Sequence, residues 1–251
     1  MIALVTGATS GIGKATALLL ARHGYDMIIT GRRQERLDIL SAEIKKISNA
    51  HVLSLCFDVR RQEEVTKNIQ SLKENWSKID VLVNNAGLAA GFSAIQEGVI
   101  DDWERMIDTN IKGLLYVTRI VAPMMIKHGK GHIVNVGSIA GKEVYPNGNV
   151  YCATKYAVDA LNRAMRLDLL QHGIRVTGIH PGMVETEFSI VRYNGDEERA
   201  KKVYAGLKPL TPEDIAESIA WALTRPAHVN ITEIVLTPTA QGNATTAVRK
   251  A

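Results

Sequence analysis

The chain has 251 residues, 46% of them hydrophobic and 22% charged, with a formal net charge of +4 and a pI near 9.0. That balance is ordinary for a soluble globular protein, and the length suffices for one large α/β domain or two small ones. Basic residues are scattered apart from short pairs such as Arg32-Arg33 and Arg60-Arg61, which points to a mildly anion-attracting surface and away from a nucleic-acid partner.

No apolar run approaches the ~18 residues of a membrane span, so no membrane partner is expected. Met1-Ile2-Ala3-Leu4-Val5 is too short for a secretory core and runs straight into Thr6-Gly7, as a first strand does. Cys56 and Cys152 suit reduced thiols better than a disulfide framework, and a cytoplasmic location is expected. Asn230-Ile231-Thr232 has the form of a glycosylation sequon, a chance match in that compartment. No metal is expected.

Along the chain, apolar runs of strand length alternate with amphipathic stretches of helix length, the signature of a parallel sheet covered on both faces. Strands are expected at 2–6, 26–30, 51–57, 79–84, 132–137, 174–179 and 232–237. Most are continuous apolar runs, as buried parallel strands require. The expected fold is a Rossmann-type, doubly wound sheet of about seven parallel strands, with residues 1–251 forming one domain.

The first strand leads into Thr6-Gly7-Ala8-Thr9-Ser10-Gly11-Ile12-Gly13, and an apolar helix follows. Glycines at such a turn let the backbone approach a pyrophosphate and aim helix N-terminal amides at it. A tight turn without ligand is the alternative. The second strand ends at Thr30-Gly31-Arg32-Arg33, where an NAD-binding protein would offer an acid to the adenosine ribose. A guanidinium there can instead bind a 2′-phosphate, so Arg32, with Arg33 beside it, predicts NADP over NAD.

The third strand closes at Phe57-Asp58-Val59 and the fourth at Val83-Asn84-Asn85-Ala86-Gly87, both at the carboxyl edge where open α/β sheets bind ligands. A helix is expected over 101–127 with Asn110 in its middle. Asn is a poor helix-interior residue, so its side chain has either a functional or a structural partner. Ser138 leaves the fifth strand at the same edge. Tyr151 and Lys155 lie four residues apart, on one face of a helix. An ammonium beside a phenol favours the phenolate, so the pair can move a proton. Taken alone, it reads more readily as a solvated helix surface, and only the rest of the chain raises the functional reading.

Thr6-Gly7-x-x-x-Gly11-x-Gly13, Asn84-Asn85-Ala86-Gly87, Asn110, Ser138, Tyr151-x-x-x-Lys155 and Pro181-Gly182, in this order, resemble the short-chain dehydrogenases/reductases over nearly the whole chain. The resemblance implies that Tyr151 is the general acid/base and that Lys155 lowers its pKa and holds the nicotinamide ribose. It implies that Ser138 polarises the substrate carbonyl and that Asn110 anchors a water in a proton relay. Asp58 would contact adenine, Asn85, Ala86 and Gly87 would line the cofactor, and Thr186 would meet the carboxamide. Thr9, Ser10, Ile12, Val59, Pro181, Gly182 and Val184 complete the expected NADP-binding set. Further stretches, Thr30–Leu37, Met106–Asn110 and Thr186–Ser189 among them, resemble the NADP-dependent 3-hydroxy acid dehydrogenase branch and also sulfoacetaldehyde reductases.

Substrate selection is expected in residues 183–208, which carry Phe188, Arg192, Tyr193 and Tyr204, with Gly195 and Gly206 as hinge points of a lid. Arg192 reads either as a grip on a substrate anion or as a solvated loop arginine. Glu185 places an acid near that anion site, and His180 reads as structural. A helix beginning at Thr211-Pro212 is expected, with Thr211 as its cap. Spare apolar faces on 101–127 and 149–170 point to a homo-oligomer, a tetramer or dimer. The leading function is an NADP-dependent oxidoreductase for a small anionic aldehyde or hydroxy acid. A broad carbonyl or 3-oxoacyl reductase and a non-catalytic NADP sensor are the alternatives.

Overall fold

The computed structural model describes residues 1–193 and 195–250. Seven parallel strands form one sheet: β1 (Ile2–Val5), β2 (Asp26–Gly31), β3 (Val52–Cys56), β4 (Ile79–Asn84), β5 (Gly131–Val136), β6 (Ile174–Pro181) and β7 (Glu233–Leu236). Their order is β3-β2-β1-β4-β5-β6-β7. Val5 pairs with Ile29 on one side and Val83 on the other, so the chain reverses its winding at β1 and β4. The expected strands are all present, with ends displaced by one or two residues; apolar runs locate a buried strand better than its last ladder bond.

Each strand sends alternate side chains to opposite faces. Ala3 and Val5 join one core with Leu20, Leu37, Ile44, Ile215 and Ile219, from helices α1 (Gly11–Arg22), α2 (Gln34–Ile47) and, late in the chain, Pro212–Leu223. Ile2 and Leu4 join the other core with Val65, Ile69, Val117, Val121, Val158 and Met165. Those come from α3 (Gln62–Gln70) and from the helices Leu114–His128 and Asn149–Asp168. The short helices are α4 (Glu74–Ser77), then α8 (Phe188–Arg192) and α9 (Glu197–Lys202) in the segment 183–208. With α5 at Ile100–Ile107, the three long helices named by range are α6, α7 and α10 in chain order.

Two expectations need correction. The helix expected over 101–127 is α5 and α6 joined by a π-helical stretch, Asp108–Gly113, which contains Asn110. Widening the helix there lets Asn110 turn its amide inward to neighbouring backbone without ending the helix. The spare apolar faces are also narrower than expected: Leu114, Val121, Val158, Met165 and Leu169 are buried within the subunit, whereas Ile107 and Leu115 remain exposed.

Thr211 caps α10 as expected, in a reciprocal box with Asp214 and with Pro212 in the first turn. Among the described residues, no helix is long and apolar enough to cross a membrane.

Candidate active site

A cleft of about 510 Å³ opens at the carboxyl edge, where β1 and β4 part. The glycine turn forms its floor. Gly7 and Gly11 have φ of +65° and +51°, a region that strains any side chain. A Cβ on Gly13 would lie 2.4 Å from both the Gly7 carbonyl oxygen and Asn85 Nδ2, so Gly13 permits close packing and does not line the cleft. Asn85 Nδ2 donates to the Thr6 and Gly7 carbonyls, while Thr6 Oγ1 accepts from the backbone of Asn85 and Ala86. The two strand ends therefore hold each other's turns in place.

Thr9, Ser10, Ile12, Arg32, Arg33, Asp58, Val59, Ala86, Gly87, Pro181, Gly182, Val184 and Thr186 all border this cleft. Arg32 is largely exposed and 3.8 Å from Asp58. Asp58 itself accepts three hydrogen bonds from Arg60, which outweigh burial and hold its carboxyl below the usual range. Arg33 donates to Thr9, Ser10 and Glu187, so it lies over the glycine turn. The floor thus combines a turn that lacks side chains at Gly7 and Gly11 with two guanidinium groups, which fits a phosphorylated dinucleotide.

At the other end of the cleft, Ser138, Tyr151 and Lys155 converge. Ser138 follows β5, and its hydroxyl accepts from the Ala140 amide and reaches the Pro181 carbonyl. Tyr151 packs edge-on to Phe188, ring centroids 5.6 Å apart. Lys155 Nζ donates to the Val136 carbonyl at 3.0 Å and lies 5.9 Å from the Tyr151 ring centroid.

Burial, reinforced by Tyr145, pushes the Tyr151 phenol above its ordinary value, while the Ser138 hydrogen bond and Arg192 pull it down. Burial also pushes Lys155 down to about 8. The sequence predicts Lys155 as the charge that favours the Tyr151 phenolate. In this structure Arg192 joins it: the guanidinium carbon lies 5.5 Å from the Tyr151 ring, against 5.9 Å for Lys155 Nζ, which donates to β5.

Asn110 lies beneath the cleft and brackets Leu88: its Oδ1 accepts from the Leu88 amide, and its Nδ2 donates to the Leu88 carbonyl and to Thr154 Oγ1. It braces the β4 exit against α7, the helix that carries Tyr151 and Lys155. His180 is fully buried between Gly137 and Gly178, where a Cβ on either would meet its ring. Burial pushes it down to about 4, which favours the neutral ring at pH 7, with Nε2 3.6 Å from Asp159.

Arg192 is not a solvated loop residue. Its guanidinium carbon lies 4.8, 5.4 and 5.5 Å from the rings of Phe92, Tyr145 and Tyr151. One nitrogen donates to Tyr145 Oη at 2.9 Å; Nε and Nη2 are buried and find no partner among the described residues. Glu185, expected near this cation, is exposed and outside the cleft. Its amide instead bonds the Leu210 carbonyl, which turns its side chain's position away from the site.

Sequence reasoning did not identify Tyr145, Phe92, Glu187 and Gln241 as cleft residues. Gln241 accepts from the Met183 amide, so the C-terminal tail closes one side of the cleft. No local pattern marks any of the four, since each meets its partner only across the folded chain.

Residues 1–196 match the short chain dehydrogenase family. The chain is 47% identical over 251 residues to the NADP-dependent 3-hydroxy acid dehydrogenase YdfG of Salmonella typhi, covering all of both chains. It is 43% identical over 248 residues to the NADP-dependent 3-hydroxy acid dehydrogenase of Schizosaccharomyces pombe, covering 98% of this chain and 96% of the other. Among solved structures, the closed form of serine dehydrogenase complexed with NADP+ superposes with a TM-score of 0.93 at 45% identity, with all of both chains covered. A matching family over most of the chain and full-length relatives at this identity place it: the chain belongs to the short-chain dehydrogenase family.

Proposed function

We propose that this protein is an NADP-dependent oxidoreductase that interconverts a small 3-hydroxy acid and the corresponding acid semialdehyde. The carrying observation is Arg192: a cation with two buried nitrogens that find no partner among the described residues, stacked among three aromatic rings and 5.5 Å from the Tyr151 ring. A buried guanidinium left half-bonded is costly unless an anion completes it. A carboxylate held there leaves a carbonyl or carbinol two or three bonds away, beside Tyr151 and Ser138. Sulfoacetaldehyde pairs an anion and an aldehyde over a similar span, and the same grip accepts its sulfonate.

Arg32 and Arg33 take the cofactor's 2′-phosphate, the glycine turn takes its pyrophosphate, and Asp58 and Val59 border its adenine. Thr186 meets the carboxamide. Bound NADP supplies the hydride chemistry. Tyr151 exchanges the hydroxyl proton while Ser138 donates to the oxygen as charge develops on it. Lys155, with a pKa near 8, is largely protonated at neutral pH; it holds the nicotinamide ribose and, with Arg192, favours the phenolate when Tyr151 gives up its proton. Asn110 fixes Leu88 and Thr154 so that a water beside Lys155 can relay that proton outward. The exposed Ile107, Leu115, Tyr156 and Leu167 on α5, α6 and α7 form the face through which subunits pair, and light scattering of the purified protein tests this.

The substrate reading is tested by Arg192→Met with NADPH against malonate semialdehyde, sulfoacetaldehyde and an uncharged aldehyde of similar size. Loss of a charged hydrogen bond of about 1.5–3 kcal/mol lowers kcat/KM for the anionic aldehydes roughly 10–150-fold. The uncharged aldehyde should lose clearly less, only the part that the Arg192 charge contributes through Tyr151. Equal losses on all three would remove the anion grip and favour a broad carbonyl reductase.

A further inference from the structure

The entry of the substrate segment is tied to the cofactor side of the cleft by a three-member ion cluster. Glu187, the residue before α8, accepts from Arg36 Nη1 through both oxygens, at 2.6 and 2.8 Å, and from Arg33 Nη1 at 3.2 Å. Arg33 simultaneously donates through Nη2 to Thr9 Oγ1 and Ser10 Oγ, at 3.0 and 3.1 Å. Its guanidinium therefore spans the glycine turn and the substrate segment. Thr186, next to Glu187, sits over Gly11 at 3.2 Å from where a Cβ would be.

The segment's two ends are joined to each other by Glu185 and Leu210 backbone bonds and the Val184–Leu210 bridge. Its first turn is therefore held to the body of the protein by this cluster. Two arginines share one carboxylate, and the sharing is unequal: Arg36 makes the shorter contacts, and Arg33 has a second pair of acceptors to keep it in place. Arg33 can exchange Glu187 for another anion without leaving the turn, while Arg36 retains Glu187 and the segment stays closed.

We propose that Glu187 is a positioning residue that occupies Arg33 until the 2′-phosphate of NADP takes its place, and that the Arg36–Glu187 pair then keeps the substrate segment closed over the cofactor. This rests on the assignment of Arg33 to the 2′-phosphate made above. The exchange sets cofactor affinity from outside the cofactor's own contacts: a competing carboxylate weakens phosphate binding and hastens release. A cofactor lacking the phosphate leaves the Arg33–Glu187 pair intact.

Calorimetric titration of the full chain with adenosine 2′,5′-bisphosphate and with AMP isolates the phosphate contribution. Glu187→Gln should tighten the bisphosphate about threefold to fivefold, the scale of an exposed ion pair, and leave AMP unchanged. Arg36→Gln should raise the aldehyde KM about threefold at saturating NADPH with kcat nearly constant. A bisphosphate affinity that is unchanged or weaker in Glu187→Gln overturns the exchange; an unchanged aldehyde KM in Arg36→Gln overturns the closing role. Arg33→Gln should bind the two nucleotides almost equally. If it still prefers the bisphosphate as the native protein does, the phosphate assignment falls and the exchange with it. If it loses that preference while Glu187→Gln behaves as native, the exchange alone falls.

Discussion

The two halves of the cleft are built by different means. On the cofactor side, the surface is backbone at the ends of central strands, shaped by Gly7, Gly11 and Gly13 and locked by Thr6 and Asn85. On the substrate side it is side chains, Phe188, Arg192 and Tyr204, carried on a segment that leaves the sheet at β6 and returns at α10. Tyr204 holds that segment's own ends by bonding Ser189 Oγ at 2.7 Å and the Val184 carbonyl at 2.9 Å. Backbone recognition tolerates little change in the chain that supplies it, whereas a side-chain surface can be altered residue by residue. On the proposed reading, the first side would hold the cofactor and the second would choose the substrate. Tyr151 stands between them, on rigid α7 but packed against Phe188 of the segment.

The largest effect should come from the residue at that junction. Tyr151→Phe removes the proposed proton donor and preserves the edge contact with Phe188. Because general acid–base catalysis contributes about 10²–10⁴, kcat should fall by roughly a thousandfold in stopped-flow NADPH oxidation. NADPH affinity, measured by fluorescence titration, should stay within about twofold, since the phenol's contribution to the chemistry exceeds its contribution to binding. If the variant keeps most of its activity, the proton comes from elsewhere and the proposed mechanism is wrong.

Glycines sharpen the comparison next. Gly13→Ala drives a Cβ into the Gly7 carbonyl and into the Asn85 side-chain amide, which is itself held by the Thr6 and Gly7 carbonyls, so overpacking should cost about 1–3 kcal/mol. The expected drop in Tm is about 2–4 °C per kcal/mol for a chain of this size, accompanied by weaker NADPH binding because the turn must shift. Gly195, with φ of +92°, meets nothing within 4 Å; alanine there adds only backbone strain of order 1 kcal/mol. Equal thermal shifts for the two variants, by differential scanning calorimetry, would show that the cofactor side is no more rigid than the segment.

How far the site could be read from the sequence follows the same division. The glycine turn, Ser138 at a strand end and the Tyr151–Lys155 pair are legible because one element carries each of them at fixed spacing. So is the sheet, from its buried apolar runs. Glu187 and Arg36 are 151 residues apart, and Arg192 finds Tyr145 across 47. Only the closed chain brings such pairs together. Glu185 shows the limit plainly: two residues from Glu187, it was the acid to expect near Arg192, yet strand-like bonding to Leu210 aims it outward. The π-helical widening at Asn110 escaped for another reason, since the chain enters and leaves it with helical dihedrals and neither Asn110 nor Gly113 ends the helix.

The C-terminal tail gives the smallest expected effect and the most direct check on the segment. Arg249 donates to the carbonyls of Val203 and Ala205, and the Lys250 amide donates to Gly206. Gly206 has φ of +76° and sits so close to the tail that a Cβ would meet the Lys250 carbonyl at 2.6 Å. The far end of the substrate segment is thus strapped by the tail, as its near end is by Arg36. Arg249 is exposed, so its loss should cost only about 0.5–1 kcal/mol. Arg249→Ala should therefore raise the aldehyde KM about twofold to fivefold with kcat and NADPH affinity nearly constant in steady-state assays. A change in NADPH affinity of the same size would mean that the tail acts on the cofactor side as well, and that the two halves are not separately held.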